Sequence, residues 1–103
     1  MLNAINFRNG QITFDNLLWL TEQDFKEQKN FFGQDLLQVR YFEKYILDVG
    51  WYNISNIKGI FIVQVIKDML WDNPLFIKRV STLKELRRII EICIKLIYRK
   101  NEN

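Results

Sequence analysis

The segment GIFIVQVI, Gly59 to Ile66, is apolar at both odd and even positions apart from Gln64. A strand with one wet face alternates, so this pattern predicts a central strand covered on both sides. The chain must therefore fold around a sheet. With 103 residues, 49% of them hydrophobic and 15% aromatic, it has material for one such core and reads as a single domain over residues 1–103, with a polar tail from Lys100.

The flanking segments supply partners for that strand. LLQVRYF places Leu37, Val39 and Tyr41 on one face with Gln38 and Arg40 on the other. YILDVGWY alternates likewise, with Tyr45, Leu47, Val49 and Trp51 on one side and Ile46, Asp48, Gly50 and Tyr52 on the opposite one. PLFIKRV reads as a further strand, with Pro74 at its start, where a missing N–H does least harm.

Near the N-terminus, INFRNGQITF centres on Asn9-Gly10, the preferred pair for a type I′ turn because both residues tolerate positive φ. The expected hairpin pairs Arg8 with Gln11 and Ile5 with Phe14, and puts Ile5, Phe7, Ile12 and Phe14 on one face. After it a helix is expected over at least Glu22 to Phe32, capped from Asp15 or Thr21 and ended by Gly33.

STLKELRRIIEICIKLIYRK predicts a C-terminal amphipathic helix. Glu85 suits a capping box with Thr82 or Ser81, and Leu83, Leu86, Ile90, Cys93 and Ile97 form the core stripe, widened by Ile89, Ile94 and Leu96. The fold class that follows is α+β: a mainly antiparallel β-sheet opening with the type I′ hairpin, one internal helix, and a C-terminal helix packed on the sheet.

The residue inventory narrows the chemistry. Histidine is absent, which removes His-dependent triads and the commonest zinc ligand. Cys93 is the only cysteine and lies in an apolar helical run, where it reads as a small core residue with no base beside it. A carboxylate cluster of Asp48, Asp68 and Asp72 around Trp71 is conceivable as acid–base machinery, yet Asp68, Asp72 and Asn73 are also ordinary turn residues. Gly-rich phosphate loops, EF-hands and metal-ligand spacings do not occur, so neither a cofactor, a metal nor an enzyme is expected. The first 20 residues show no signal-peptide pattern and no run is long enough to span a bilayer, which predicts a cytoplasmic protein that does not bind membranes.

Charge is unevenly spread. Met1 to Asp72 holds seven Lys/Arg against nine Asp/Glu, for −2, while Asn73 to Asn103 holds eight against three, for +5. The basic face of the last helix, Lys84, Arg87, Arg88, Lys95 and Arg99, would suit phosphates, and a small nucleic-acid-binding module is the alternative reading. Opposite an apolar stripe, the same residues are what any solvated face shows, and Glu91 is spaced to pair with Arg87 and Lys95. Self-association is a third reading.

LDVGWY, Leu47 to Tyr52, serves two purposes on alternate residues. Trp51 falls on the core face, whereas Asp48, Gly50 and Tyr52 present an acid, a bare glycine and a tyrosine to the other side, a composition suited to docking.

The order DVGWY, GIFIVQVIKDMLWDNPL, STLKELRRIIEICIKLI resembles the C-terminal half of bacterial immunity proteins that neutralise polymorphic toxins, including those of contact-dependent growth inhibition. The likeness covers about Tyr45 to Ile97 and rests on a strand, a W-x-N-P-L turn, a strand and a helix opening S/T-L-x-E-L. It implies a cytoplasmic, non-enzymatic antitoxin that binds one cognate toxin C-terminal domain, often a nuclease, and blocks its active site or substrate surface. Many inhibitors of basic nucleases are acidic, and this chain is +3 overall, so its toxin-facing surface is expected in the acidic segment Met1 to Asp72. The partner-binding residues implied are Glu43, Asp48 and Tyr52 in the strand region with Asp68, Trp71 and Asp72 at the hairpin turn. The acids would meet toxin cations, and the two aromatics would act as anchors.

Overall fold

A computed structural model describes residues 2–21, 35–54 and 59–102. Its described elements are a 3-10 turn at Leu2–Ala4, β1 (Gln11–Asp15), β2 (Asp35–Tyr41), β3 (Tyr45–Asn53), β4 (Gly59–Lys67), β5 (Phe76–Val80) and α1 (Leu83–Asn101). The strands form one antiparallel sheet in chain order, β1-β2-β3-β4-β5, so β3 lies at the centre and β4 next to an edge. The overall class is α+β.

Helix α1 packs against β3, β4 and β5. The face beneath it carries Leu37, Val39, Tyr41, Tyr45, Leu47, Val49, Trp51, Phe61, Val63 and Val65, all buried, as the period-2 pattern predicts. From the helix come Leu86, Ile89, Ile90, Cys93, Ile94 and Ile97, while Leu83 and Leu96 are only half-buried at the margin of the stripe. Thr82 is the cap: its Oγ1 accepts from the Glu85 N–H at 3.1 Å and donates to Glu85 Oε1 at 3.2 Å, which settles the choice between Thr82 and Ser81. Cys93 is fully buried, and desolvation pushes its thiol up to about 12, so it is inert as a nucleophile.

The N-terminal hairpin does not form. Residues 5–10 make no strand, and β1 pairs with β2, with Gln11 opposite Arg40 and a bulge between Ile12 and Phe14. The bulge places Ile12 and Phe14 on different faces, both exposed. A turn is closed by the Gly10 N–H to the Phe7 carbonyl at 3.0 Å, but the residue with positive φ is Arg8 (55°), not Asn9 or Gly10. Tertiary contacts override the local preference. The Tyr41 hydroxyl donates to the Phe7 carbonyl at 2.9 Å, the Tyr98 hydroxyl accepts from the Asn9 N–H at 3.1 Å, and the Arg8 guanidinium lies 4.5 Å from the Tyr98 ring centre. Gly10 is needed for close approach, since a Cβ there would stand 2.5 Å from Tyr41 Cζ.

Asp15 closes a local turn and not a helix: its Oδ1 accepts from the N–H groups of Leu17 (2.8 Å) and Leu18 (2.9 Å), both of which are buried in the core. The helix expected over Glu22 to Phe32 lies outside the described residues.

Candidate protein-docking surface

Two turns come together at one end of the sheet. The β2–β3 loop, residues 42–44, passes through positive φ at Phe42 (56°) and Glu43 (53°), closed by the Lys44 N–H to the Tyr41 carbonyl at 3.0 Å. The β4–β5 loop opens with positive φ at Asp68 (55°) and Met69 (62°), closed by the Leu70 N–H to the Lys67 carbonyl at 3.1 Å. Tyr45 pairs with Lys67, which sets the loops side by side, and the Asp68 N–H donates to the Lys44 carbonyl at 2.9 Å, tying them together. Further bonds within the second loop, Trp71 N–H to Met69 and Asn73 N–H to Leu70, hold it in a compact form.

The side chains this platform presents are unusual for a solvent surface. Phe42, Met69, Leu70, Trp71 and Leu75 are all exposed, Met69 and Leu70 to 57% and Trp71 to 40%. Glu43, Asp68 and Asp72 are exposed among them. Large apolar groups beside three acids, with Lys44 and Lys67 at the base of the same turns, form an apolar surface with a small acidic excess, suited to a protein partner with apolar and cationic groups.

Of the six residues expected to bind a partner, the fold brings four to this end: Glu43, Asp68, Trp71 and Asp72. Tyr52 is exposed on the same strand as Asp48 but at the far end of β3, roughly 23 Å from Tyr45 at the usual strand rise. Asp48 lies between. It pairs with Gln64, four residues before Asp68, or roughly 13 Å along the strand. The carboxylate cluster conceived from the sequence is therefore not assembled. Among the described residues no group of three or more His, Cys, Asp or Glu is placed to hold a metal ion.

Asp48 has a different setting. On the sheet face opposite α1 the registers align Phe14, Gln38, Asp48, Gln64 and Ile77 in one row across all five strands. Asp48 is only 8% exposed, and it is held by Gln38 Nε2 donating to Oδ1 (3.1 Å) and Gln64 Nε2 donating to Oδ2 (3.2 Å). Burial raises its pKa above the ordinary value, the two amide hydrogen bonds oppose that, and the nearby Asp35 carboxylate adds to it. Gln64 is thus not an accident in an apolar strand. A lone polar residue in GIFIVQVI needs a partner, and that requirement was the signal by which the Gln38–Asp48–Gln64 row could have been sought in the sequence. The exposed apolar residues Phe42, Met69, Leu70 and Leu75 gave no such signal, since a turn hides nothing in its periodicity.

Comparison with protein-family models, with curated proteins and with solved structures finds no match. No described helix is long and apolar enough to cross a membrane.

Proposed function

We propose that this chain is a non-enzymatic inhibitor of the immunity type, acting in the cytoplasm by stoichiometric binding to one cognate toxin C-terminal domain, a nuclease. The observation that carries the proposal is the turn platform, where Phe42, Met69, Leu70, Trp71 and Leu75 are exposed beside Glu43, Asp68 and Asp72. Nuclease domains need cations to hold phosphates, and a surface of carboxylates with aromatic and sulfur-bearing anchors complements such a site. Occupying it would exclude the nucleic-acid substrate.

The test is to purify the toxin domain encoded beside this protein and measure complex formation and residual nuclease activity. A tight 1:1 complex is expected. Trp71→Ala is expected to weaken it by about 2 kcal/mol, roughly thirtyfold in Kd. Asp68→Lys with Asp72→Lys should weaken it further by slowing association. Absence of a complex, or full affinity in both variants, sinks the proposal. Asp48 is not the residue to reverse in charge, because a lysine in so buried a place would damage the fold.

A second reading has one observation in its favour: Lys84, Arg88, Lys95 and Arg99 are all exposed along α1. If the chain binds nucleic acid instead, affinity for a DNA or RNA oligonucleotide falls steeply with salt and is lost on neutralising Arg87, Arg88 and Lys95.

A further inference from the structure

Away from the turn platform, β5 and α1 form a second surface of opposite charge. A cavity of about 230 Å³ opens between them, lined by Phe76, Ile92, Lys95, Leu96 and Arg99. Its apolar part is Phe76 from the strand with Ile92 and Leu96 from the helix, and its cationic part is Lys95 and Arg99. Among the described residues strand β5 is paired on one side only, with β4, and no described strand lies along its other side. Phe76 and Lys78 stand opposite Val65 and Val63 on the helix-side face, and Arg79 follows on the reverse face, both cations exposed.

We infer that the β5 edge and this groove together bind an extended acidic segment of a partner protein, which adds to the sheet as a sixth strand. Main-chain hydrogen bonds to Phe76–Val80 supply the pairing. Alternate apolar side chains of the segment enter the groove over Phe76, Ile92 and Leu96, and its carboxylates meet Lys78, Lys95 and Arg99. Charge selects the occupant. A second copy of this chain pairing antiparallel through β5, centred on Lys78 or on Arg79, would set that cation against its own copy, and like charges across a strand pair destabilise it. Glu91 does not neutralise the groove, because it is engaged with Arg87 at 3.8 Å along the helix.

The probe is a synthetic acetylated peptide of alternating glutamate and leucine or valine, about seven residues long, enough to span Phe76–Val80 with one residue over at each end. Fluorescence anisotropy should show saturable 1:1 binding, and the backbone amides of Phe76–Val80 should shift in nuclear magnetic resonance spectra. The Lys95→Glu, Arg99→Glu variant changes exposed side chains only and should lose at least about tenfold in affinity. N-methylation of alternate peptide amides keeps every side chain and charge but removes strand pairing, so binding should disappear without any change to the protein. Unshifted Phe76–Val80 amides, or equal binding of the N-methylated peptide, overturn strand addition. Displacement of the peptide by a single-stranded oligonucleotide at lower concentration overturns the inference in favour of a polyanion site. Concentration-dependent shifts at β5 without peptide overturn it in favour of self-pairing.

Discussion

Asp48 shows at the residue scale how a polar group is accommodated in a sheet face. Desolvation disfavours its carboxylate, and the two glutamine amides recover part of that loss. Since burial outweighs the hydrogen bonds, the folded state holds its proton to higher pH than the unfolded chain does. The contribution of Asp48 to stability is therefore most favourable below its ordinary pKa of 3.8 and declines as pH rises through the elevated folded value. Asp48→Asn removes the charge and keeps an acceptor. Thermal unfolding across pH should show the variant more stable than the parent at pH 7, with the gap closing below about pH 3.8. A variant less stable at neutral pH would mean that the hydrogen bonds to the carboxylate outweigh its desolvation. Trp51 depends on a glycine in a comparable way. Its indole donates to Asn53 Oδ1 at 3.1 Å and lies where a Cβ on Gly59 would be, so the neighbouring strand has to begin without a side chain.

At the scale of elements, the turns are where sequence preference and structure diverge. Left-handed backbone is carried by Phe42, Glu43 and Met69, residues with no intrinsic liking for it, while Asn9-Gly10 does not use it. Register explains the exchange. Strands β2, β3 and β4 are fixed against one another by core side chains, and the loops must close wherever those registers end. The left-handed conformation costs an L-residue about 1–2 kcal/mol, and glycine escapes that cost but loses about 0.5–1 kcal/mol in entropy. Met69→Gly should thus stabilise the fold by up to about 1 kcal/mol, read as a higher urea midpoint, while weakening partner binding at the turn platform. A lower midpoint would show that Met69 contributes more through packing than its backbone costs. The C-terminal helix behaves oppositely: its cap, apolar stripe and charged face all agree, so local and tertiary forces act in the same direction.

Among the described residues, one α-helix lies over a sheet whose order follows the chain, with β1 and β5 as its outermost described strands. Central β3 and its neighbour β4 are paired on both sides, so their amides open only with the global unfolding, whereas among the described residues β1 and β5 have one strand neighbour each. Hydrogen exchange should find Leu47, Val49, Val63 and Val65 slowest and β5 markedly faster. Equal protection at β5 in the isolated protein would mean that its edge is already covered. The charge asymmetry also acquires a shape. Among the described residues, the exposed acids Glu43, Asp68 and Asp72 lie with apolar groups at the turn end, while Lys78, Lys95 and Arg99 lie at the β5 groove.

Sequence alone determined the four strands from Leu36 to Val80, the two faces of β2 and β3, the burial of Cys93 and nearly all of the C-terminal helix, because period and capping are local properties that core burial reinforces. Tertiary structure decided the rest. It gave β1 to β2 instead of to a hairpin, made β3 and not β4 the central strand, surrounded Asp48 with Gln38 and Gln64, and split the expected site by carrying Tyr52 to the far end of β3. Each of these depends on which segments distant in the chain lie side by side. Pairing of that kind is settled by the summed burial and hydrogen bonding of whole strands, a quantity that no short window of residues contains.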